Sequence, residues 1–268
     1  MTAPDTPRVA LITGGTSGIG LAAAIQFALE GHSVVIAARD AERGGRALDR
    51  LRAEAPGAAA EFVSADMGEP DQIEKMVAST VDRFGRLDCA LNNAATDNGI
   101  IGLSTADYSV EQFDRHLDLN LRSVWLCMKH EITQMRAQGW GGAIVNTASV
   151  NALGGVRGAA PYAVAKAGVV ALTKSAAQEY AAEKIRVNVL VPGAFDTPML
   201  REAMVASGGV DEASLGAIRA VYERLIPLGR IGDASEAAAA AVWLCSPQAS
   251  YVTGHSLIVD GGMTAWAR

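Results

Sequence analysis

The segment that most restricts this chain lies near its start. Val9-Ala10-Leu11-Ile12 is a short apolar run, Thr13-Gly14-Gly15-Thr16-Ser17-Gly18-Ile19-Gly20 follows it, and a helical pattern occupies 21–29. A buried strand that empties through glycines into a helix is the opening of a βαβ unit, whose next strand returns parallel to the first. The helix N-terminus presents N–H groups with no partner of their own, together with the positive end of the helix dipole. Glycines let a phosphate approach both. The spacing is T-G-x-x-x-G-x-G rather than the commoner G-x-G-x-x-G. An ordinary tight turn would use the same glycines, so the context of strand, turn and helix carries the reading.

That context persists along the chain. Apolar strand candidates at 34–37, 61–64, 87–91, 143–147, 187–191 and 257–259 alternate with helical patterns at 40–55, 72–84, 111–138, 162–182 and 235–244. Such alternation predicts an α/β fold, with a parallel sheet covered by helices on both faces. Half of the 268 residues are hydrophobic, enough for one sizeable core. With no repeat or linker, the expectation is a single domain over 1–268. Its least regular part, about 195–227, contains Phe195, Met199, Met204 and Val205 and reads as a substrate lid or as ordinary helix-packing faces.

Chemistry concentrates around Tyr162-Ala163-Val164-Ala165-Lys166, thirteen residues beyond Ser149. Positions i and i+4 of a helix share a face. An ammonium beside a phenol stabilises phenolate and lowers a pKa that is ordinarily near ~10. The pair is then a general acid/base for an alcohol or ketone oxygen near neutral pH. Ser149 ends the apolar run from Ala143, and its hydroxyl could hold the same oxygen.

Together these motifs resemble the classical short-chain dehydrogenase/reductase family over nearly the whole chain. The residues that match are Thr13 to Gly20, Asn92-Asn93-Ala94, Asn120, Ser149, Tyr162, Lys166, Pro192-Gly193 with Thr197, and Asp260-Gly261-Gly262; Ala95 stands where the family usually has glycine. The resemblance implies a Rossmann-type doubly wound sheet and an NAD(P)(H)-dependent exchange between a secondary alcohol and a ketone. Asn120, Ser149, Tyr162 and Lys166 would be the catalytic set, with Tyr162 handling the proton. Gly14, Thr16, Ser17, Gly18, Ile19, Gly20, Met67, Asn93, Ala94, Pro192, Gly193, Phe195 and Thr197 would meet the cofactor, as would Tyr162 and Lys166. Asp66 would accept a hydrogen bond from adenine, or else cap the following helix. Asn93 could instead tie strands together. Asn120 would distort its helix and hold a water near Lys166, or be a polar residue on a solvated face. The alternative function is a catalytically weak, dinucleotide-binding regulatory or structural subunit. All four tetrad positions are filled, which favours the enzyme.

Cofactor choice falls on the end of the second strand, Ala37-Ala38-Arg39-Asp40. A carboxylate there binds both ribose hydroxyls of NAD and repels a 2′-phosphate. Ala38 occupies the corresponding position, and Arg39 next to it can pair with that phosphate. NADP(H) is therefore expected over NAD(H), with Asp40 as the residue that a one-position shift would make decisive.

Other partners are disfavoured by bulk properties. A formal charge of −6 argues against nucleic acid. No apolar run approaches the ~18 residues of a membrane span. The first residues lack a basic region followed by an apolar stretch, so no signal peptide is expected. Cys89, Cys127 and Cys245 fit reduced thiols, and a cytoplasmic protein is expected. His32 and His255 read as turn residues, His116 as part of a polar helix face, and His130-Glu131 lacks the second histidine of a zinc motif, so no metal is expected. The substrate should be a small, largely apolar molecule, which Asn151, Leu153 and Val156 could help line. The apolar residues Leu117, Leu121, Val124, Trp125, Met128 and Ile132 of the long helix suggest a homo-oligomer, a tetramer by resemblance, or burial within one chain.

Overall fold

A computed structural model describes residues 6–95 and 102–265. The first five residues, on which the signal-peptide expectation falls, lie outside that range, as do the chain ends of the 1–268 domain expectation. Strands β1 (Val9–Thr13), β2 (Ser33–Ala38), β3 (Ala60–Ser64), β4 (Cys89–Asn92), β5 (Gly142–Thr147), β6 (Ile185–Pro192) and β7 (Ser256–Val259) form one sheet in the order β3-β2-β1-β4-β5-β6-β7. Each described pairing is parallel. Strand order reverses between β1 and β4, which opens a crevice at the carboxyl ends of both, where ligands of such sheets bind.

The two faces of the sheet separate by the strand period of two. Ala10, Ile12, Val34 and Ile36 face one way, onto helices α1 (Gly18–Leu29), α2 (Ala41–Glu54) and α9 (Ala234–Cys245). Leu11, Val35, Ala90 and Ile144 face the other, onto α3 (Pro70–Phe84), α5 (Ser123–Gln138) and α6 (Ala160–Tyr180). Strands buried on both sides read as continuous apolar runs, which explains why β1 and β2 show no alternation in sequence. The doubly wound α/β expectation holds.

The helix expected over 111–138 is not continuous. It divides into α4 (Val110–Leu117), a π-helical turn at Asp118–Arg122, and α5. The Ser123 N–H bonds back to the Asp118 carbonyl, five residues earlier, so the turn carries one extra residue. Asn120 at its centre is completely buried, and His116 is 3% exposed. The solvated-face alternatives for both are therefore corrected: the wide turn packs against α6 and rotates these side chains inward. Gly168 of α6 permits the approach, because a Cβ there would stand 2.8 Å from Leu121 Cδ2.

The 195–227 region is more regular than its sequence suggests. It comprises α7 (Pro198–Ala206), begun by the Thr197 hydroxyl, and α8 (Glu212–Leu225), begun by an Asp211–Ser214 capping box. Met204, Ile226 and Ile231 form a small core beneath these helices. Among the described residues, no helix is long and apolar enough to cross a membrane, and no group of His, Cys, Asp and Glu could hold a metal. The three cysteines are free and buried.

Candidate active site

A cleft of about 450 Å³ runs along the carboxyl ends of the strands. Its floor at one end is the turn between β1 and α1. Gly14 has φ +66°, and a Cβ on it would lie 2.9 Å from Ala94 Cα; a Cβ on Gly20 would lie 2.3 Å from the Gly14 carbonyl oxygen. These positions admit only glycine, so the turn and helix stand as close as backbone permits. Ser17 begins α1 without a side-chain cap, and no acidic residue occupies the first turn. The free N–H groups at this helix end border the cleft beside Thr16, Gly18 and Ile19. Such a cradle fits the pyrophosphate of a dinucleotide.

Thr13 holds the cradle to the neighbouring strand. Its Oγ1 accepts from the Asn93 and Ala94 N–H groups, both at 3.1 Å. Asn93 Nδ2 in turn donates to the Gly14 carbonyl at 3.4 Å, so the side chain of Asn93 ties strands together while the residue lines the cleft. Thr197 meets Gly18 from the far side, with only 3.1 Å from its Cγ2 to where a Cβ would sit. Gly193 brings the end of β6 against Asp260, whose carboxylate accepts from Gly262 N at 2.8 Å and Thr264 N at 2.7 Å. That turn delivers Met263 to the cleft.

Beyond the cradle, Ala38, Arg39, Asp40 and Arg43 line the cleft together with Ala65, Asp66 and Met67. β2 ends at Ala38. Asp40 does not begin the helix as a member but precedes it as the N-cap, accepting from Arg43 N at 3.0 Å. Arg39 is 68% exposed and stands 3.9 Å from Asp66 Oδ2. The capping alternative for Asp66 is corrected: α3 is preceded by Glu69, and Asp66 Oδ1 instead accepts from Gly68 N at 2.9 Å.

Ser149, Tyr162 and Lys166 converge at the other end. Ser149 Oγ accepts from Asn151 N at 3.2 Å and keeps its own hydrogen for a further acceptor. Lys166 is 1% exposed, and its Nζ donates to the Thr147 carbonyl at 2.9 Å. Removal from water pushes the ammonium pKa down to about 8. Its Nζ lies 5.6 Å from the centroid of the Tyr162 ring, as the i, i+4 spacing predicts. Asn120 does not line the cleft; its Nδ2 donates to the His116 carbonyl at 3.2 Å behind it.

Several expectations for the lid region need correction. Phe195 is 5% exposed, and its ring lies over Gly232, within the core cluster that backs β1, so it borders the cleft from the core and is no exposed lid surface. Met204 is buried under α7, while Leu153, Val156 and Val205 are about half exposed and none of the three lines the cleft. Met199 and Asn151 do line it. Arg43, Leu200, Ala203, Tyr222 and Met263 also line it and carry no motif. Among them only Met263 adjoins a matched motif, the Asp260-Gly261-Gly262 turn.

A family profile described as enoyl-(acyl carrier protein) reductase matches residues 14–264. An A-factor type gamma-butyrolactone 1'-reductase (1S-forming) of Streptomyces virginiae is 42% identical over 97% of this chain and 96% of its own length. The chain belongs to the short-chain dehydrogenase/reductase family. A 2,5-dichloro-2,5-cyclohexadiene-1,4-diol dehydrogenase of Sphingobium indicum is 41% identical over 96% of this chain and 97% of its own. Among solved structures, levodione reductase superposes with a TM-score of 0.91 at 36% identity, covering 98% of this chain and 99% of that one. An actinorhodin polyketide ketoreductase variant solved with NADPH gives a TM-score of 0.90 at 34% identity, covering 99% and 100%. This short-chain dehydrogenase/reductase is an oxidoreductase of the alcohol–ketone type that uses a nicotinamide dinucleotide and a small-molecule substrate.

Proposed function

We propose that this enzyme reduces an alicyclic ketone, or oxidises the matching secondary alcohol, with Tyr162 as the acid/base and NADP(H) as the preferred cofactor. The observation that carries the proposal is the convergence of Ser149 and Tyr162 on one cleft wall with Lys166 buried beside them. When bound, the nicotinamide supplies or accepts the hydride. Ser149 donates its free hydroxyl hydrogen to the substrate oxygen and stabilises the charge that develops there. Tyr162 gives that oxygen its proton in reduction and removes it in oxidation. Lys166, with donors left beyond the one spent on Thr147, holds the ribose and keeps positive charge beside the phenol. Asn120, in the π-helical turn packed on α6, positions a proton path towards the lysine.

The NADP(H) preference is supported by Arg39 and Arg43, which both border the adenosine end of the cleft, and by Asp40, whose carboxylate is engaged in capping α2. A 2′-phosphate would replace the weak, exposed contact of Arg39 with Asp66 by a charge-assisted one. An alicyclic substrate is supported by the apolar wall of Met199, Leu200, Ala203 and Met263, with α7 and α8 acting as its lid. The cyclohexadiene-diol relative acts on a ring of this kind.

Assembly into a homo-oligomer, a tetramer in its full form, is part of the same proposal. Val124, Met128 and Ile132 are buried within the chain and need no partner, but Trp125 of α5 and Val164 of α6 are 47% and 49% exposed. A twofold pairing of these helices would cover both. Light scattering coupled to size exclusion tests it, and a stable monomer at micromolar concentration would rule it out.

For the activity itself, purified enzyme is assayed with NADPH and NADH against cyclic, linear and aromatic ketones. Oxidation of NADPH with a cyclic ketone, lost in a folded Tyr162→Phe variant, is the expected result. Undiminished turnover in that variant would overturn the assignment.

A further inference from the structure

We infer that Tyr222 is a specificity-determining residue whose hydroxyl holds a second oxygen of the substrate, so that the preferred substrate is a ring ketone or ring alcohol with a further hydroxyl or carbonyl group. This inference rests on the alcohol–ketone reading of the cleft and deepens it.

Tyr222 sits in the last turn of α8 and is half-buried. Its ring packs on the Met204, Ile226 and Ile231 cluster, and the residue also lines the cleft. The rest of that wall, Met199, Leu200, Ala203 and Met263, has no side-chain donor to offer. Thr197, which lies on the same side, has its hydroxyl engaged: it accepts from Leu200 N and donates to the Phe195 carbonyl, both at 3.3 Å. Among the described residues, the Tyr222 hydroxyl has no hydrogen-bond partner. Burial pushes its pKa up and nothing offsets the rise, so the phenol is a protonated donor at neutral pH.

A partly desolvated hydroxyl without a partner weakens a wall that phenylalanine would fill as well. A ligand oxygen would repair the deficit. The reacting oxygen is taken by Ser149 and Tyr162, which come from the β5–α6 segment. Tyr222 is presented from α8, a separate element, and its hydroxyl is assigned a second oxygen of the substrate. A site built to hydrogen-bond a substrate group discriminates against the analogue that lacks it, because its own donor is then left unpaired.

The test compares cyclohexanone with 4-hydroxycyclohexanone and cyclohexane-1,4-dione, each with saturating NADPH. The wild-type enzyme should favour the two dioxygenated rings by about tenfold in kcat/KM. In Tyr222→Phe that ratio should fall to about one, with the change carried mainly by KM. Thermal melting of the variant confirms that it is folded. An unchanged ratio in Tyr222→Phe, or the absence of any preference in the wild type, overturns the inference while leaving the alcohol–ketone reading intact. Failure of the wild type to turn over any of the three ketones overturns that reading, and this inference with it.

Discussion

The Nζ of Lys166 stands 5.6 Å from the centre of the Tyr162 ring and is bonded at 2.9 Å to the Thr147 carbonyl. The lysine is thus held from below by the end of β5 while its charge remains beside the phenol. Replacing Tyr162 by phenylalanine removes the proton donor and leaves that anchor in place. Tyr162→Phe should lower kcat by ~10²–10⁴, with nucleotide affinity changed little. Fluorescence titration with NADPH and steady-state kinetics on the same preparation check both halves.

Lys166→Met should reduce both nucleotide affinity and rate, yet not lower stability at pH 7. The folded pKa of about 8 lies below the ordinary 10.5 because burial disfavours the charge. The cost of keeping the ammonium buried is fully present below about pH 8 and disappears as pH rises towards 10.5. The variant escapes this cost. Its melting temperature should match or exceed that of the wild type at pH 7, and the advantage should shrink above pH 9. A clear drop in melting temperature at pH 7 would refute the prediction.

Arg39→Ala should weaken NADP(H) far more than NAD(H). The residue is well exposed and its contact with Asp66 is long, so its loss costs the fold little. A charge-assisted bond to phosphate is roughly twice as strong as a neutral one. The expected result is a drop of about tenfold or more in kcat/KM for NADPH with NADH nearly unaffected. A wild-type preference for NADH that the substitution does not touch would show the choice of cofactor to be wrong.

Glu131 is completely buried between α5 and the sheet. Its Oε2 accepts from Asn92 Nδ2 at 2.9 Å, and among the described residues its Oε1 has no partner. Burial raises its pKa from 4.5 to about 7. A raised carboxyl binds its proton more tightly folded than unfolded, so stability falls as pH rises from about 4.5 and levels off above about 7. That interval amounts to at most about 3 kcal/mol. Glu131→Gln, which keeps the shape and removes the charge, should flatten this part of the stability profile. Urea unfolding at pH 5.5 and pH 8 checks it: the variant should gain on the wild type at the higher pH.

Arg86 and Asp88 form a two-bonded ion pair, 2.7 Å at each contact, at the amino end of the sheet. Both side chains are about 95% buried, and Asp88 also accepts from Val9 N at 2.8 Å. Arg86→Leu strands a buried carboxylate, and it should cost about 3–5 kcal/mol. The double replacement Arg86→Leu with Asp88→Asn should recover part of that loss, as chemical denaturation would measure.

Much of this protein is determined by its order of residues. The glycines between β1 and α1 announce themselves because positions with no room for a Cβ tolerate nothing else, and the i, i+4 spacing of Tyr162 and Lys166 follows from helix pitch alone. The alternation of apolar runs and amphipathic helices is enough for a parallel sheet covered on both faces. What only the tertiary structure decided is of another kind. The π-helical turn at Asp118–Arg122 matches the helix distortion that the family resemblance implies at Asn120, but apolar periodicity carries no signal of it, because it forms where α6 packs closely enough, at Gly168, to turn Asn120 and His116 inward. Asp40 became a helix cap and Asp66 did not, a matter of where β2 and α3 begin and end by a residue or two. Phe195 packs into the core while still bordering the cleft, and Tyr222 borders it from α8, although both lie in the same irregular-looking stretch. Local pattern records which side chains share a strand or helix face. Which face then meets another element is settled by packing between segments distant in the chain, and single-residue periodicity does not encode it.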